Sequence, residues 1–236
     1  MNMILLFPSD FAGTGTRVRL AGRRLKHVLR VHRAKPGDTL RVGLAGADTG
    51  TGTITRLTSR ALEMEVALTD PPPPPLDCTL VLAIPRPKML SRMLQYGASA
   101  GIKRMILVRT WRVDKSYLDS PSLEKEEIDV QLVLGLEQAR DTVFPRVEIR
   151  RLFRPFAEDD LPEIIHGTRP IVAHPDAVEP CPRNVKKHVT LAIGPERGFT
   201  PFEIELLHKL GFEPVTLGPR PFRTENALPA LIGRLF

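Results

Sequence analysis

Along residues 1–70, apolar and polar positions alternate in short runs: MILLF, RVRLA, DTLRVGLA, GTGTITRL and ALEMEVAL. A period of two marks strands with one buried face. Turn signals such as KPGD and GADTGTG separate the runs. The alternation predicts a small antiparallel β-barrel. RRLKHVLRVHR interrupts it with helical spacing, placing Leu25, Val28, Leu29 and His32 on one face. At DPPPPPLD, residues 70–77, the alternation ends. Consecutive prolines hold an extended, semi-rigid spacer. Residues 71–77 therefore read as a linker between a domain of 1–70 and one of 78–236.

Beyond the prolines the pattern changes to continuous apolar runs alternating with amphipathic ones. CTLVLAIP, RMILVR, VEIRRL, RPIVAHP, VTLAIG and EPVTLG read as strands. KMLSRMLQYGASAG, PFAEDDLPEIIH, FEIELLHKLG and ENALPALIGRLF read as helices among them. SLEKEEIDVQLVLGLEQARD reads as a long helix with Ile128, Leu132, Leu136 and Ala139 on one stripe. Apolar strands separated by helices predict an α/β fold with a parallel sheet covered on both faces. One helix start is well marked. Thr200 stands as N-cap, Pro201 at the first position, Glu203 closes a capping box, and Gly211 lies past the end. Thr224 is expected to cap the last helix similarly.

Charge adds a partner class. The net charge is +7. Residues 1–70 carry 11 Lys/Arg against 6 Asp/Glu, and residues 71–236 carry 23 against 21. Nine Lys/Arg lie between Arg17 and Arg41, with Asp38 the single acid. That density can neutralise several phosphates; the rival reading is a basic surface that aids solubility. His27 and His32 read as packing or phosphate-contacting residues, and no metal is expected. Cys78 and Cys181 are too few for a disulfide scaffold or zinc site, and are expected to be buried thiols in a reducing cytoplasm. No apolar run is long enough to cross a bilayer, and the start lacks the basic n-region of a signal peptide. The expectation is a cytoplasmic protein without a membrane partner.

Three strands end in turns suited to a ligand: IVAHP (171–175), LAIGPERG (191–198) and TLGPRPFRTENA (216–227). In open α/β sheets, ligands bind beyond the carboxyl ends of the strands. None of the three is a dinucleotide fingerprint or a P-loop, and no Gly-x-Ser-x-Gly or paired-His zinc motif is present. For His174 a catalytic role and a strand-capping or packing role both stay open. Glu196 reads as an acid satisfying the free amides of a helix amino end.

The paired motifs are more specific. IGPERGFTPFEI resembles the IGPEGG-(F/L)-x-x-x-E-I motif of the RsmE-like 16S rRNA uridine N3-methyltransferases, and LGPRPFRTENA resembles their LG-x-x-(I/V)-LR-x-ET-A motif. HVLRVHRAKPGD and EQARD are similar to two further segments of that family, in the same order. The resemblance implies a C-terminal SPOUT α/β-knot (trefoil knot) domain, preceded by an N-terminal PUA-like β-barrel that grips RNA. It also implies a homodimer acting on ribosomal RNA of the small ribosomal subunit. S-adenosyl-L-methionine would be held by Ala173, His174, Ile193, Gly194, Pro195, Glu196, Gly198, Leu217, Gly218, Pro219, Phe222 and Arg223. Arg223 would stabilise negative charge on the uracil or its phosphate, and Glu225 would orient Arg223 or accept the N3 proton. The alternative for these two is a structural pair locking the knot. RNA contacts would come from Arg17, Arg19, Arg23, Arg24, Lys26, Arg30 and Arg33, with Arg112 and Arg140 reaching across the dimer.

The chain also departs from the family pattern. Arg197 stands at a glycine position of GPEGG, Asn226 enters the ETA motif, and Pro229 falls early in the last helix. EQ-x-GR reads Glu137-Gln138-Ala139-Arg140-Asp141, and Q-K-x-x-E-L-G reads Gln95-Tyr96-Gly97-Ala98-Ser99-Ala100-Gly101. Two rival readings follow: a diverged paralogue methylating another RNA position such as a ribose 2′-hydroxyl, and a non-catalytic RNA-binding or assembly protein.

Overall fold

The computed structural model describes residues 2–13 and 15–236. Contacts divide the chain into two units. One holds the residues up to Pro74 together with Ala98–Gly101 and Leu132–Phe144; the other holds Pro75–Gly97, Ile102–Gln131 and Pro145–Phe236.

In the first unit, β1 (Ile4–Leu6), β2 (Arg17–Leu20), β3 (Thr39–Leu44), β4 (Thr49–Leu57) and β5 (Leu62–Asp70) form a sheet in the order β1-β3-β4-β5-β2. The alternation buries Val18, Leu20, Leu40, Val42, Ile54, Leu62, Met64 and Val66 in one core. The sheet is not wholly antiparallel as expected. β1 runs parallel to β3, pairing Ile4 with Val42 and Leu6 with Leu44. The chain leaves β1 for the far edge, forms β2 there, and returns beside β1 only after a helix, a crossover that permits parallel pairing.

That helix corrects a second expectation. α1 (Gly22–His27) passes directly into a π-helical turn, Val28–His32. Leu25 and Val28 are buried, whereas Leu29 is 36% exposed and His32 is exposed too. A π turn closes on i+5 rather than i+4, so positions chosen at α-helical spacing rotate off the inward face. The His32 ring lies edge-on to that of His27, with centroids 5.1 Å apart.

Glu137 fastens the first strand of this unit. Its backbone carbonyl accepts from Asn2 and Met3, and its buried carboxylate accepts from Leu5 N at 3.3 Å and Arg23 Nη1 at 2.8 Å. A close approach constrains β4: a Cβ on Gly50 would lie 1.9 Å from the Ala67 carbonyl oxygen. Backbone cannot yield as a side chain does, so Gly50→Ala is expected to destabilise this unit by about 3 kcal/mol. Urea unfolding followed by circular dichroism measures it, and an unchanged midpoint would contradict the packing.

The second unit contains β6 (Cys78–Ala83), α2 (Pro87–Ser99) up to Gly97, β7 (Arg104–Val108), the first half of α3 (Lys125–Ala139) and β8 (Arg146–Arg150). Two short helices follow, α4 (Phe153–Pro155) and α5 (Leu161–Ile165), joined by a π turn at Phe156–Asp160. The remaining elements are β9 (Arg169–Ala173), β10 (Val189–Ile193), α6 (Pro201–Lys209), β11 (Glu213–Val215) and α7 (Thr224–Leu235). The six strands are all parallel, in the order β11-β9-β10-β6-β7-β8. Every residue of β6 and β10 is buried, as continuous apolar runs in a parallel sheet require. Val81, Ile106, Val172 and Ala192 pack with Phe153, Phe156, Phe199 and Phe212. This order sets β11, β9 and β10 side by side, so the three loop-bearing strands share one edge of the sheet.

Cys78 and Cys181 are buried free thiols, and burial pushes the Cys78 thiol up to about 12. Among the described residues, no helix is long and apolar enough to cross a membrane.

Candidate functional site

The turns after β9, β10 and β11 line one cleft of about 740 Å³, within the size range of small-molecule sites. Of the twelve residues expected around a cofactor, Pro219 is outside the lining and the other eleven are part of it; Glu225 lines it as well. Arg86, Arg197, Thr216 and Arg220 also line it and were not anticipated as contacts. Arg86 had a visible signal, a Pro-Arg-Pro turn at the carboxyl end of β6.

Each loop is braced by its own sequence. After β9, His174 accepts at Nδ1 from the Asp176 amide at 3.2 Å, and its own amide donates to the Val215 carbonyl. The imidazole thus closes a turn. After β11, the Thr216 hydroxyl pairs with Gly218 N at 3.1 Å, Gly218 O at 3.1 Å and Pro175 O at 3.3 Å. Gly218 has φ +123°, a conformation that L side chains rarely adopt. A Cβ there would meet nothing within 4 Å, so bare backbone faces open space.

The turn after β10 is held from its far side. Thr200 caps α6, and the Glu203 carboxylate returns to Thr200 N at 2.7 Å, completing the expected capping box with Pro201 at the first position. Gly211 follows the helix with φ +94°. Glu203 is 2% exposed, and its second oxygen accepts from the Trp111 amide at 2.7 Å. Arg112 adds Nη1 hydrogen bonds to the carbonyls of Arg197 and Phe199, at 2.7 and 3.2 Å. Arg112 is thereby engaged within its own chain. Glu196 Oε1 accepts from the Arg86 amide and Nε, at 3.1 and 3.3 Å, which leaves its second oxygen for another partner.

Arg223 and Glu225 form no hydrogen bond or ion pair with each other, and neither side chain has another partner among the described residues. The direct pair expected as one alternative is therefore absent. Thr224 does not cap the last helix: Arg223 occupies the N-cap position without a side-chain hydrogen bond, and Thr224 is the first helical residue and buried. The threonine lies one position too late for its hydroxyl to reach back over the end. The amino end of α7 therefore meets the cleft without a side-chain cap, and Glu225 is the acid of its first turn. Pro229 sits inside α7 without ending it.

The basic residues of the first unit divide into two groups. Arg24 makes two bonds to Asp10, at 2.6 and 2.7 Å, a third to the Leu5 carbonyl, and lies over the Phe7 ring. Arg23 pairs with Glu137, and Arg17 with Glu65 at 3.3 Å. Arg19, Lys26, Arg30 and Arg33 are exposed and have no ion pair among the described residues. Arg140, exposed after α3, adopts φ +60°. No group of three or more His, Cys, Asp or Glu residues that could hold a metal occurs among the described residues.

The sequence profile described as RNA methyltransferase domain matches residues 72–235. A "Ribosomal RNA small subunit methyltransferase E" of Treponema pallidum is 29% identical, the match covering 96% of this chain and 87% of that protein. A "Ribosomal RNA small subunit methyltransferase E 1" of Borreliella burgdorferi is 22% identical, over 96% and 94% of the two chains. In overall fold the chain is similar to a crystal structure of a ribosomal RNA small subunit methyltransferase E from Neisseria gonorrhoeae bound to S-adenosyl methionine. That likeness has a TM-score of 0.74 at 21% identity, over 98% and 95% of the two chains. A putative methyltransferase from Legionella pneumophila, solved with S-adenosylmethionine, gives a TM-score of 0.73 at 22% identity, over 98% and 95%.

Proposed function

The chain belongs to the RNA methyltransferase domain family, and on that footing we propose that it transfers a methyl group from S-adenosylmethionine to N3 of a uridine in 16S ribosomal RNA. The observation that carries this reading is the cleft itself. Two uncommitted side chains, Arg223 and Glu225, stand there beside a helix end without a side-chain cap and bare backbone at Gly218. The residues present fit the donor. Backbone at Ile193, Leu217 and Gly218 can approach it closely, and the second oxygen of Glu196 can meet a polar or cationic end.

When bound, S-adenosylmethionine supplies an electrophilic methyl on a sulfonium centre. The protein's own task is to orient the acceptor and favour its deprotonated form. Uridine N3 carries a proton that must leave before or during attack. Glu225, on the first turn of α7, can accept that proton. Arg223 and the amino end of α7 place positive charge where the uracil becomes anionic. Neither side chain must break an internal ion pair to act.

The barrel unit, residues 1–70, is assigned to gripping RNA, residues 71–77 to a linker, and residues 78–236 to catalysis. A knotted threading of the parallel-sheet unit, a PUA-like barrel and a homodimer belong to the same reading, supported by the family motifs. Arg19, Lys26, Arg30 and Arg33 are the cations available for phosphate. Replacing Arg30 and Arg33 by glutamine is expected to lower the slope of log affinity against log salt by about 1.5. An unchanged slope in RNA-binding titrations would remove the barrel as the RNA platform.

The reaction is tested by mass mapping of modified nucleotides in ribosomal RNA from cells with and without the gene. A missing N3-methyluridine in small-subunit RNA is expected, restored by the wild-type gene and not by a Glu225→Gln variant. Loss of a 2′-O-methyl instead would redirect the assignment, and an unchanged map would reject it.

A further inference from the structure

A second groove, of about 730 Å³, lies beside the donor cleft within the same unit and shares Arg86, Glu196 and Arg197 with it. Its other wall carries Trp111, Arg112, Asp114 and Tyr117. Trp111 is 83% exposed, an unusual position for a large ring that packing would normally hide. The loop that presents it is anchored: the Trp111 amide is held by buried Glu203, and the neighbouring Arg112 by two carbonyls of the turn after β10. Just before the tryptophan, Arg109 Nε and Thr110 Oγ1 are buried without a hydrogen-bond partner. Such orphans are disfavoured, and an exposed ring does not offset them by burial.

The charges favour a polyanion over a protein surface. Asp114 is committed to the amide and hydroxyl of Ser116, which hold its carboxyl below the usual range. Glu196 is paired with Arg86. The Arg197 side chain is exposed, has no partner among the described residues, and stands at the lip shared by the two cavities. At this position the family motif quoted above has glycine.

We propose that this groove holds the single-stranded RNA around the acceptor nucleotide, with Trp111 stacking on a base and Arg197 meeting a phosphate at the entrance to the donor cleft. The proposal rests on the methyl-transfer reading and adds the substrate platform that reading lacks. Aromatic stacking tolerates any base and combines well with cations along a backbone. Recognition of an unpaired target also fits chemistry on a uracil edge that pairing would hide.

The chain has one tryptophan, so its fluorescence reports on this groove alone. Titrating the full-length protein with a uridine-containing oligoribonucleotide is expected to give saturable quenching that weakens as salt rises. Trp111→Ala is expected to weaken RNA binding about tenfold, and Trp111→Phe to restore most of it. Arg197→Gly is expected to reduce the salt slope by about 0.7. Calorimetry with S-adenosylmethionine should show donor binding unchanged in Trp111→Ala. Three results would overturn the proposal: RNA bound without quenching, wild-type RNA affinity in Trp111→Ala, or a dimer that Trp111→Ala dissociates in light scattering. The last would make the groove a subunit interface. Absence of donor binding in the wild-type protein would strike the methyl-transfer reading instead, while the quenching would still judge the groove.

Discussion

Replacing Arg223 with alanine is expected to slow methyl transfer by about 100-fold or more, the usual effect of losing one preorganised charge at a developing anion. The side chain is exposed, lines the cleft, and holds no internal partner, so its removal breaks nothing in the fold. The melting temperature should stay within a degree or two of wild type. Arg223→Lys keeps the charge without the planar fork and should recover part of the rate. Single-turnover assays at saturating donor separate this from weakened donor binding. A variant that transfers methyl groups at the wild-type rate would remove Arg223 from the chemistry. One that unfolds would make it a structural residue.

Glu203→Ala should produce the largest loss of stability in the site. The carboxylate is 2% exposed and accepts from Thr200 N, the Thr200 hydroxyl and Trp111 N. Truncation leaves two part-buried amides without their acceptor and removes one arm of the capping box, for a combined loss of about 3 kcal/mol. In a chain of this size that corresponds to a fall of roughly 10 °C in Tm. Because the same carboxylate ties the donor loop to the Trp111 loop, donor binding and RNA binding should weaken together. Glu203→Gln retains one acceptor and should fall between the two. Wild-type stability in Glu203→Ala would mean that other contacts hold these loops.

The local features of this chain were legible in its sequence. Thr200, Pro201, Glu203 and Gly211 mark α6 because capping is decided within a few residues. The apolar runs of β6 and β10 mark buried parallel strands for the same reason. What escaped was long-range or off-period. Leu29 and His32 sit on the wrong face because a π turn follows α1, and spacing alone does not announce a π turn. Arg24 looked like an RNA contact, yet Asp10, fourteen positions earlier, takes it bidentately. The pairing of Glu196 with Arg86, and of Glu203 with the Trp111 amide, spans 110 and 92 positions. No local pattern encodes such a separation. The turns after β9, β10 and β11 read as ligand loops from sequence, whereas their gathering at one edge required the strand order.

Isothermal titration calorimetry of the purified full-length protein with S-adenosylmethionine tests most directly whether the three turns form a donor site. The expected result is saturable binding that Gly218→Val removes, because a branched side chain would both project into the open space beside the backbone and resist φ +123°. No heat from the wild-type protein at millimolar donor, or undiminished binding by Gly218→Val, would contradict the account.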